Sequence, residues 1–414
     1  MNTKIVDHLF RHQYGKMIAI LSNIFGLKHL ELIEDAVQDT FVKAALQWRN
    51  QLPENPEAWL TQAAKNRTID LLRQIQANKL RAEKINSGAS SIHLNDIFLD
   101  HEVEDSQLRM IFVGCHPDLS REEQIAFSLK TISGFSMKEI AAALLIKEDT
   151  IKKRLIRARK KIIDNNIEFK YPEPNAIDDH LAGVLQVIYL IFNEGFHSTK
   201  PNQLINKELC GEALRLCKML LKKERFRTGN SYALFALLCY HSSRLESKIG
   251  ANNELIDLEH QDRSKWYFPL IKLGNDALNK ALSIGSPSTY FYEAAVMAEH
   301  LKAEDFKGTN WDRIVELYNE LYKLEPSVGH LLNMAIAHIH SNRLPDAKQL
   351  LEAIDPKKLE QRAYLYHGTW SEYYARTKSY NEAIIAMDNA INSVSNSMEL
   401  EYLRRKKDFL EALN

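Results

Sequence analysis

A chain of 414 residues exceeds one ordinary domain, and its 45 % hydrophobic content supplies apolar surface for more than one core. Its 54 basic and 54 acidic residues cancel, which excludes a whole-chain attraction to nucleic acid and requires any such binding to be local. Four cysteines with no C-x-x-C pair (Cys115, Cys210, Cys217, Cys239) exclude a disulfide framework and read as reduced, buried thiols of a cytoplasmic protein.

The N-terminal stretch carries Asp7 and lacks the apolar core of a signal peptide. No apolar run reaches the roughly 18 residues that span a bilayer, so no membrane association is expected. Glycine and proline are sparse, and apolar residues recur at spacings of three and four, which predicts an all-α chain. The first block, residues 1–85, contains helical patterns over Glu31–Trp48 and Glu57–Lys84. Asp35, Gln38, Asp39 and Phe41 fall on nearby turns of the first of these. Acids beside an aromatic ring suit a protein partner; the alternative is an ordinary helix with Phe41 in the core. Lys65, Asn66, Arg67, Asp70 and Arg73 lie on the helix that follows Pro56. Asparagine can read a base edge and Lys or Arg can hold phosphates, whereas the bland alternative is a solvated helix face. Trp59 reads as a core residue rather than a stacking platform.

Residues 86–105 read as a linker. Asn86-Ser87-Gly88-Ala89-Ser90-Ser91 is loop composition, and Asp96, Asp100, Glu102, Glu104 and Asp105 make its second half acidic. That acidic run fits either a nucleic-acid mimic in a basic channel or a solvated tether. The next block, residues 106–168, holds a helix-turn-helix pattern. Ser120/Glu123 and Ser136/Glu139 are two capping boxes, Gly134 permits the turn between their helices, and Leu145-Ile146-Lys147 fits the turn before the last helix. That helix, from about Asp149 to Ile163, has one apolar stripe of Ile151, Leu155, Ala158 and Ile162. Its cations must therefore project elsewhere, as a helix entering a major groove requires. Lys152, Lys153 and Arg157 are the candidate base readers; Thr150, Arg154, Arg159, Lys160 and Lys161 are candidates for backbone positioning. Tyr171-Pro172-Glu173-Pro174-Asn175 breaks the chain before the third block.

The segments Glu34 to Ala44, Trp59 to Arg73 and Ser120 to Lys161 resemble regions 2.2, 2.3–2.4 and 4 of sigma-70-type factors, and their order resembles the extracytoplasmic-function group. The resemblance implies that Asp35, Gln38, Asp39 and Phe41 dock on core RNA polymerase. It implies that Lys65, Asn66, Arg67, Asp70 and Arg73 act at the minus-ten element of promoter DNA, with Asn66 matching the reading asparagine. Thr150, Lys152, Lys153, Arg154, Arg157 and Arg159 would act at the minus-thirty-five element.

The third block, residues 177–414, is more than half the chain. Asp346-Ala347 and Glu382-Ala383 lie 36 residues apart, each opening a helix whose partner precedes it (Leu331–His340, Tyr364–Arg376). That period resembles tetratricopeptide repeats, with aromatics such as Tyr364, Tyr366, Trp370, Tyr373 and Tyr374 either lining a concave face or packing between helices. From Ile177 to about Pro287 the pattern is helical without a regular repeat. Leu190-Ile191-Phe192-Asn193-Glu194-Gly195-Phe196, Glu259 to Trp266 and Thr309-Asn310-Trp311-Asp312 resemble segments of the sigma subgroup with such an extension, which implies control of activity within the chain. Physically, Asn193 and Glu194 predict a break in an apolar helix, with Gly195 permitting a turn. Gln261, Asp262, Arg263 and Trp266 predict a buried polar network or a ligand groove.

No nucleotide-binding, zinc-protease or nucleophile-elbow motif is present. Neither His8/His12 nor His338/His340 has companions for a metal site. The expectation is a bacterial transcription initiation factor, not an enzyme, with no cofactor and no metal. Its partners would be core RNA polymerase and promoter DNA, plus a protein or peptide partner of the C-terminal helical domain. The alternative is a polymerase-independent helix-turn-helix regulator with a tetratricopeptide-like sensing domain.

Overall fold

The computed structural model describes residues 2–48, 52–80, 100–144, 146–197, 205–250, 254–285, 287–394 and 396–414. Every element among them is helical except one isolated bridge between Ile249 and Leu255. The chain divides into two compact units, Met1–Leu190 and Ile191–Asn414.

The first unit opens with α1 (Asn2–Phe25), a short 3-10 turn at Leu27–His29, α2 (Leu30–Gln47) and α3 (Pro56–Leu80). Asn55 starts α3, its Oδ1 accepting the Ala58 N–H at 3.0 Å, and Pro56 costs nothing at a first helical position. Next comes α4 (Asp100–Gly114), which begins inside the expected linker. Asp105 accounts for that: its carboxylate pairs with Arg109 at 2.5 Å and accepts the Tyr171 hydroxyl at 2.8 Å. The acidic end of the segment is therefore tied into the fold, while residues 86–99 lie outside the described chain. Helix α5 (Arg121–Phe127), a π-helical continuation at Ser128–Ile132, α6 (Met137–Ala143) and α7 (Glu148–Asp164) form the helix-turn-helix. Both capping boxes are made, and the chain turns at Gly134 with φ 71°. Ile151, Leu155, Ala158 and Ile162 are buried, as their stripe predicts.

Helix α8 (Ile177–Phe196) carries the division between units in its last third. Its first turns belong with the helix-turn-helix: Arg121 donates to the Gly183 carbonyl at 3.3 Å and to the Gln186 side chain, and the His116 and His180 rings lie 5.4 Å apart. The expected break at Asn193-Glu194 does not occur. Gly195 instead stays helical, because a Cβ there would lie 2.9 Å from the Asn206 carbonyl oxygen and the Cys210 sulfur. The glycine serves close approach of the following helix rather than a turn.

The second unit continues with α9 (Lys207–Leu220), α10 (Gly229–Ser243), α11 (Phe268–Ile284), α12 (Thr289–Lys302) and α13 (Trp311–Leu324). After these come α14 (Val328–His340), α15 (Leu344–Glu352), α16 (Ala363–Arg376), α17 (Tyr380–Ser393) and α18 (Ser397–Leu413). From α12 onward the apolar interior is a series of small cores, around Ile314, around Leu332 and Leu351, and around Ala383 and Leu403. That layout is what stacked helical pairs produce, each pair burying its face against the next. Tyr366, Trp370 and Tyr373 pack against the Leu332/Leu351 core and Tyr374 against the Ala383 core, so most of the aromatics fill space between helices. Tyr364 also borders a groove of about 1140 Å³.

The three motifs of this unit are structural. The Gln261 Oε1 accepts from Arg244 at 3.2 Å and from the Ser247 hydroxyl at 3.3 Å, and the Trp266 indole donates to that hydroxyl at 2.9 Å. Arg263 donates to the carbonyls of His300 (2.7 Å) and Ala303 (2.6 Å), closing the C-terminus of α12. The Lys248 ammonium donates to the Phe196 carbonyl at 2.6 Å and sits 3.8 Å from the Phe196 ring centroid, with Arg244 over the same ring. Asn310 caps α13, Asp312 pairs with Arg343 at 2.8 Å, and Trp311 stacks on His340 with centroids 4.4 Å apart. All four cysteines are free and buried, and burial pushes the thiols of Cys115, Cys210 and Cys239 up to about 12.

This interior holds buried cations, Arg244 and Lys248. Burial pushes the Lys248 ammonium down to about 7, and burial followed by nearby cations holds His241 well below the usual imidazole range. The unfolded chain then binds more protons than the folded one throughout the range between folded and unfolded values, so stability rises with pH. The second unit is expected to melt at higher temperature as pH is raised from about 5 to 8, read by scanning calorimetry. A melting temperature flat or falling over that range would contradict the assignment of these groups as buried and neutralised.

Candidate nucleic-acid interface

The α2–α3 hairpin carries the first two groups of candidate residues. Helix α2 buries Ile33, Val37, Phe41 and Ala44, and turns Asp35, Gln38 and Asp39 to solvent. Phe41 is 4 % exposed, with its ring 4.8 Å from that of Phe10, so the expectation of Phe41 as an exposed docking anchor is corrected: it is core. Apolar anchors on the outer face are Val42 and Leu46, 61 % and 59 % exposed, continuing the Asp35/Gln38 row at helical spacing. Sequence reading missed them because they look like core residues. The signal was available: the stripe through Ile33, Val37 and Phe41 puts positions 42 and 46 on the opposite side. Burial, and then the carboxylates of Glu31 and Asp39, hold Asp35 above the usual carboxylate range.

Between α2 and α3 lies a cleft of about 530 Å³, with Trp59, Gln62, Asn66, Arg67 and Asp70 in one wall and Asp39 in the other. Asn66 is exposed, and its Oδ1 accepts from the Gln62 amide at 2.9 Å, which orients its own amide nitrogen. Arg67 donates through Nε (2.9 Å) and Nη2 (2.7 Å) to one oxygen of Asp39. A residue expected to meet a protein thus holds one expected to meet DNA. Asp70 faces Arg73 at 3.8 Å. Trp59 is half-buried, packed edge-on against Trp48 at 5.3 Å, and shows its remaining surface to the cleft. Lys65 and Arg73 lie outside the cleft walls.

On α7 the basic residues separate into two sets. Lys152, Lys153, Arg157 and Lys160 are exposed, and Thr150 and Arg154 are half-buried. Arg159 turns inward to an ion pair with Glu34 of α2, whose side chain is 3 % exposed. Lys161 pairs at 2.7 Å with Glu123, the capping-box carboxylate of α5. The placement of Arg159 at DNA is therefore corrected for this arrangement of the chain: its guanidinium serves a buried carboxylate. The exposed cations present donors to an anionic partner. Among the described residues no group of three or more His, Cys, Asp or Glu is placed to hold a metal ion, and no helix is long and apolar enough to cross a membrane.

Comparison with known proteins matches residues 9–78 to sigma-70 region 2 and residues 109–162 to sigma-70 region 4. Residues 180–282 match a family of unknown function, DUF6596. An uncharacterised protein of Rhizobium meliloti is 32 % identical over 390 residues, covering 93 % of this chain and 91 % of that protein. The ECF RNA polymerase sigma factor SigE of Mycolicibacterium smegmatis is 26 % identical over 158 residues, 38 % of this chain and 60 % of that protein. The ECF RNA polymerase sigma factor SigM of Bacillus subtilis is 25 % identical over 158 residues, 38 % of this chain and 92 % of that protein. No solved structure matches.

The outer row of α2 yields a direct expectation. Val42→Asp and Leu46→Asp, at exposed positions, should change stability by no more than about 0.5 kcal/mol. Each should weaken capture of core RNA polymerase by about 1–3 kcal/mol if that row is the docking face. Undiminished capture by the double variant would remove Val42 and Leu46 from the assignment.

Proposed function

The chain belongs to the sigma-70 family, with regions 2 and 4 followed by a long helical extension, and from that premise we propose that it binds core RNA polymerase and directs it to promoters of one sequence class. The observation that carries this reading is the surface of α7: beside two completed capping boxes and a fully buried apolar stripe, Lys153 and Arg157 stand exposed opposite the stripe and Lys152 stands exposed on its flank. Arginine and lysine so placed can donate to guanine O6 and N7 in a major groove. The α2–α3 cleft supports a second DNA contact. Its Asn66 amide is oriented by Gln62, and Trp59 offers an aromatic edge beside it. A splayed base could be hydrogen-bonded and stacked there, which suits opening of the minus-ten element, with Arg67, Asp70 and the nearby Lys65 and Arg73 at the strand. Asp35, Gln38, Val42 and Leu46 would dock the polymerase, Asp39 acting mainly as the partner of Arg67.

The second unit would regulate this activity within the same chain. Its groove, bordered by Tyr364, Tyr402, Lys406 and Phe409, is wide enough for an extended protein or peptide partner.

Run-off transcription with core polymerase and a cognate promoter tests the reading. Wild-type chain should yield a promoter-specific transcript, and Lys152→Ala, Lys153→Ala and Arg157→Ala should each cost about 1–3 kcal/mol in upstream-element discrimination. Specific DNA binding with no promoter-specific transcript would favour a polymerase-independent regulator instead. Residues 1–190 should transcribe at a level different from the full chain; equal levels would deny the extension a regulatory role.

A further inference from the structure

The groove of the second unit is closed into a ring. Helices α12–α14 and α16–α18 supply its wall, and a strap of residues 254–263 bridges that wall from one side to the other. On one side α10 and α12 hold the strap, Gln261 accepting from Arg244 at 3.2 Å and Arg263 donating to the His300 carbonyl at 2.7 Å. On the other it is held by α18, across 145 residues of sequence: Tyr402 donates to the Asp257 carboxylate at 2.5 Å. Lys406 pairs with the same carboxylate at 3.6 Å, and Arg405 donates to the Leu255 carbonyl at 3.4 Å. The enclosed space of about 1140 Å³ is close to the upper end of small-molecule sites, about 1,000 Å³. Its width admits a peptide, but an extended chain needs an open concave face, and here the strap bridges that face.

The wall combines apolar surface with under-compensated positive charge. Part of it is an aromatic box, in which the Trp311 ring lies 4.4 Å from His340, 5.0 Å from Phe306 and 5.2 Å from His300. Phe409 of α18 also lines the space although it is 66 % exposed, as do the exposed Leu365 and Leu413. An apolar body seated against them would leave water, which is favourable in proportion to the area covered. One turn before Phe409 stand Arg405 and Lys406. Lys406 has Asp257, but among the described residues no carboxylate pairs with Arg405. The other acids of the wall are engaged or face water: Glu399 accepts the Tyr364 hydroxyl at 2.6 Å, Glu372 pairs with Arg376 at 3.3 Å, and Glu259 is exposed. Arg244 acts on the wall from the core, where it is buried without a carboxylate and its Nε has no acceptor. Burial, and then the Arg244 and Arg263 guanidinium groups, push the His300 imidazole down to about 3. His300 is therefore neutral, and its buried Nδ1 has no hydrogen-bond partner. Such a field favours an anion over a cation of the same size.

We propose that the ring binds a small amphipathic organic acid, its apolar body against the aromatic box, Leu365, Phe409 and Leu413, and its carboxylate at Arg405. The site stands on this geometry alone. That its occupancy alters transcription rests on the regulatory reading of the second unit.

The test titrates the full chain with dansylaminoundecanoate, whose fluorescence rises in apolar surroundings, below the concentrations at which the amphiphiles form micelles. Uptake should saturate, and decanoate should displace the probe. Decyltrimethylammonium, with the same alkyl chain and opposite charge, should compete at least about tenfold more weakly. Arg405→Glu should weaken probe binding at least about tenfold and Phe409→Ser about fivefold, with helical circular dichroism unchanged because both positions are exposed. No saturable uptake, equal competition by the two amphiphiles, or full binding by both variants would overturn the proposal. Displacement by hexaglutamate but not by decanoate would also overturn it, giving the groove to a chain-like partner. In the second arm, run-off transcription with core polymerase is compared with and without decanoate. Transcript should change in the wild-type chain and stay constant in Arg405→Glu. Decanoate bound with transcript unchanged in the wild-type chain would leave the site standing and sink the regulatory reading of the second unit.

Discussion

A carboxylate removed from water is the constraint around which the first unit is organised. Glu34 is buried, so it needs a hydrogen-bond donor and a counter-charge within reach. Both come from the helix-turn-helix, nearly a hundred residues downstream or more: Thr131 from the π-helical turn and Arg159 from the recognition helix. The π-helical widening at Ser128–Ile132 belongs to the same arrangement. It carries Thr131 toward Glu34 and presents the Ile132 carbonyl to Gly15. Arg159 is thereby spent on Glu34, while Lys152, Lys153 and Arg157 are left exposed. The charge that enters the core thus defines which charges remain for a partner.

The second unit solves a related problem with positive charge. Arg244 and Lys248 are buried beside Phe196; Arg244 Nη1 donates to a glutamine, Lys248 to a carbonyl, and both cations lie over an aromatic face rather than against carboxylates, while Arg244 Nε has no acceptor. Such a network costs desolvation, and the donors that are paired favour one packing. It joins the end of α8, the end of α10 and the 3-10 turn before α11. The repeated pairs α13–α18 then add small apolar cores in series.

Much of this was legible in residue order. The all-α class, both capping boxes, the stripe of α7 and the starts of α15 and α17 follow from helical periodicity and from the hydrogen-bonding repertoire of each side chain, whereas Gln261 and Trp266 were left open between a polar network and a groove. Where reading fell short, distant chain was the cause. Phe41 and Val42 are adjacent; the family resemblance put Phe41 at the docking face although local pattern allowed a core position, and its packing against Phe10 places it in the core. Gly195 looked like a turn because the partner requiring its missing Cβ, Cys210, lies beyond the next loop. Asp100 to Asp105 looked like tether because Tyr171, which fixes Asp105, comes 66 residues later.

By itself the sequence determined that the chain is helical, where the capped helices begin and which stripe of α7 is apolar, because these depend on neighbours three or four positions apart; its motifs in order carried the family. It could not say which of the many Lys and Arg residues are free. Tertiary structure decided that Arg67, Arg159 and Lys161 are held by Asp39, Glu34 and Glu123, while Lys152, Lys153 and Arg157 are not. The reason is physical: periodicity assigns a side chain to a face of its helix, but a charge is neutralised only by the group that folding brings within a few ångströms of it.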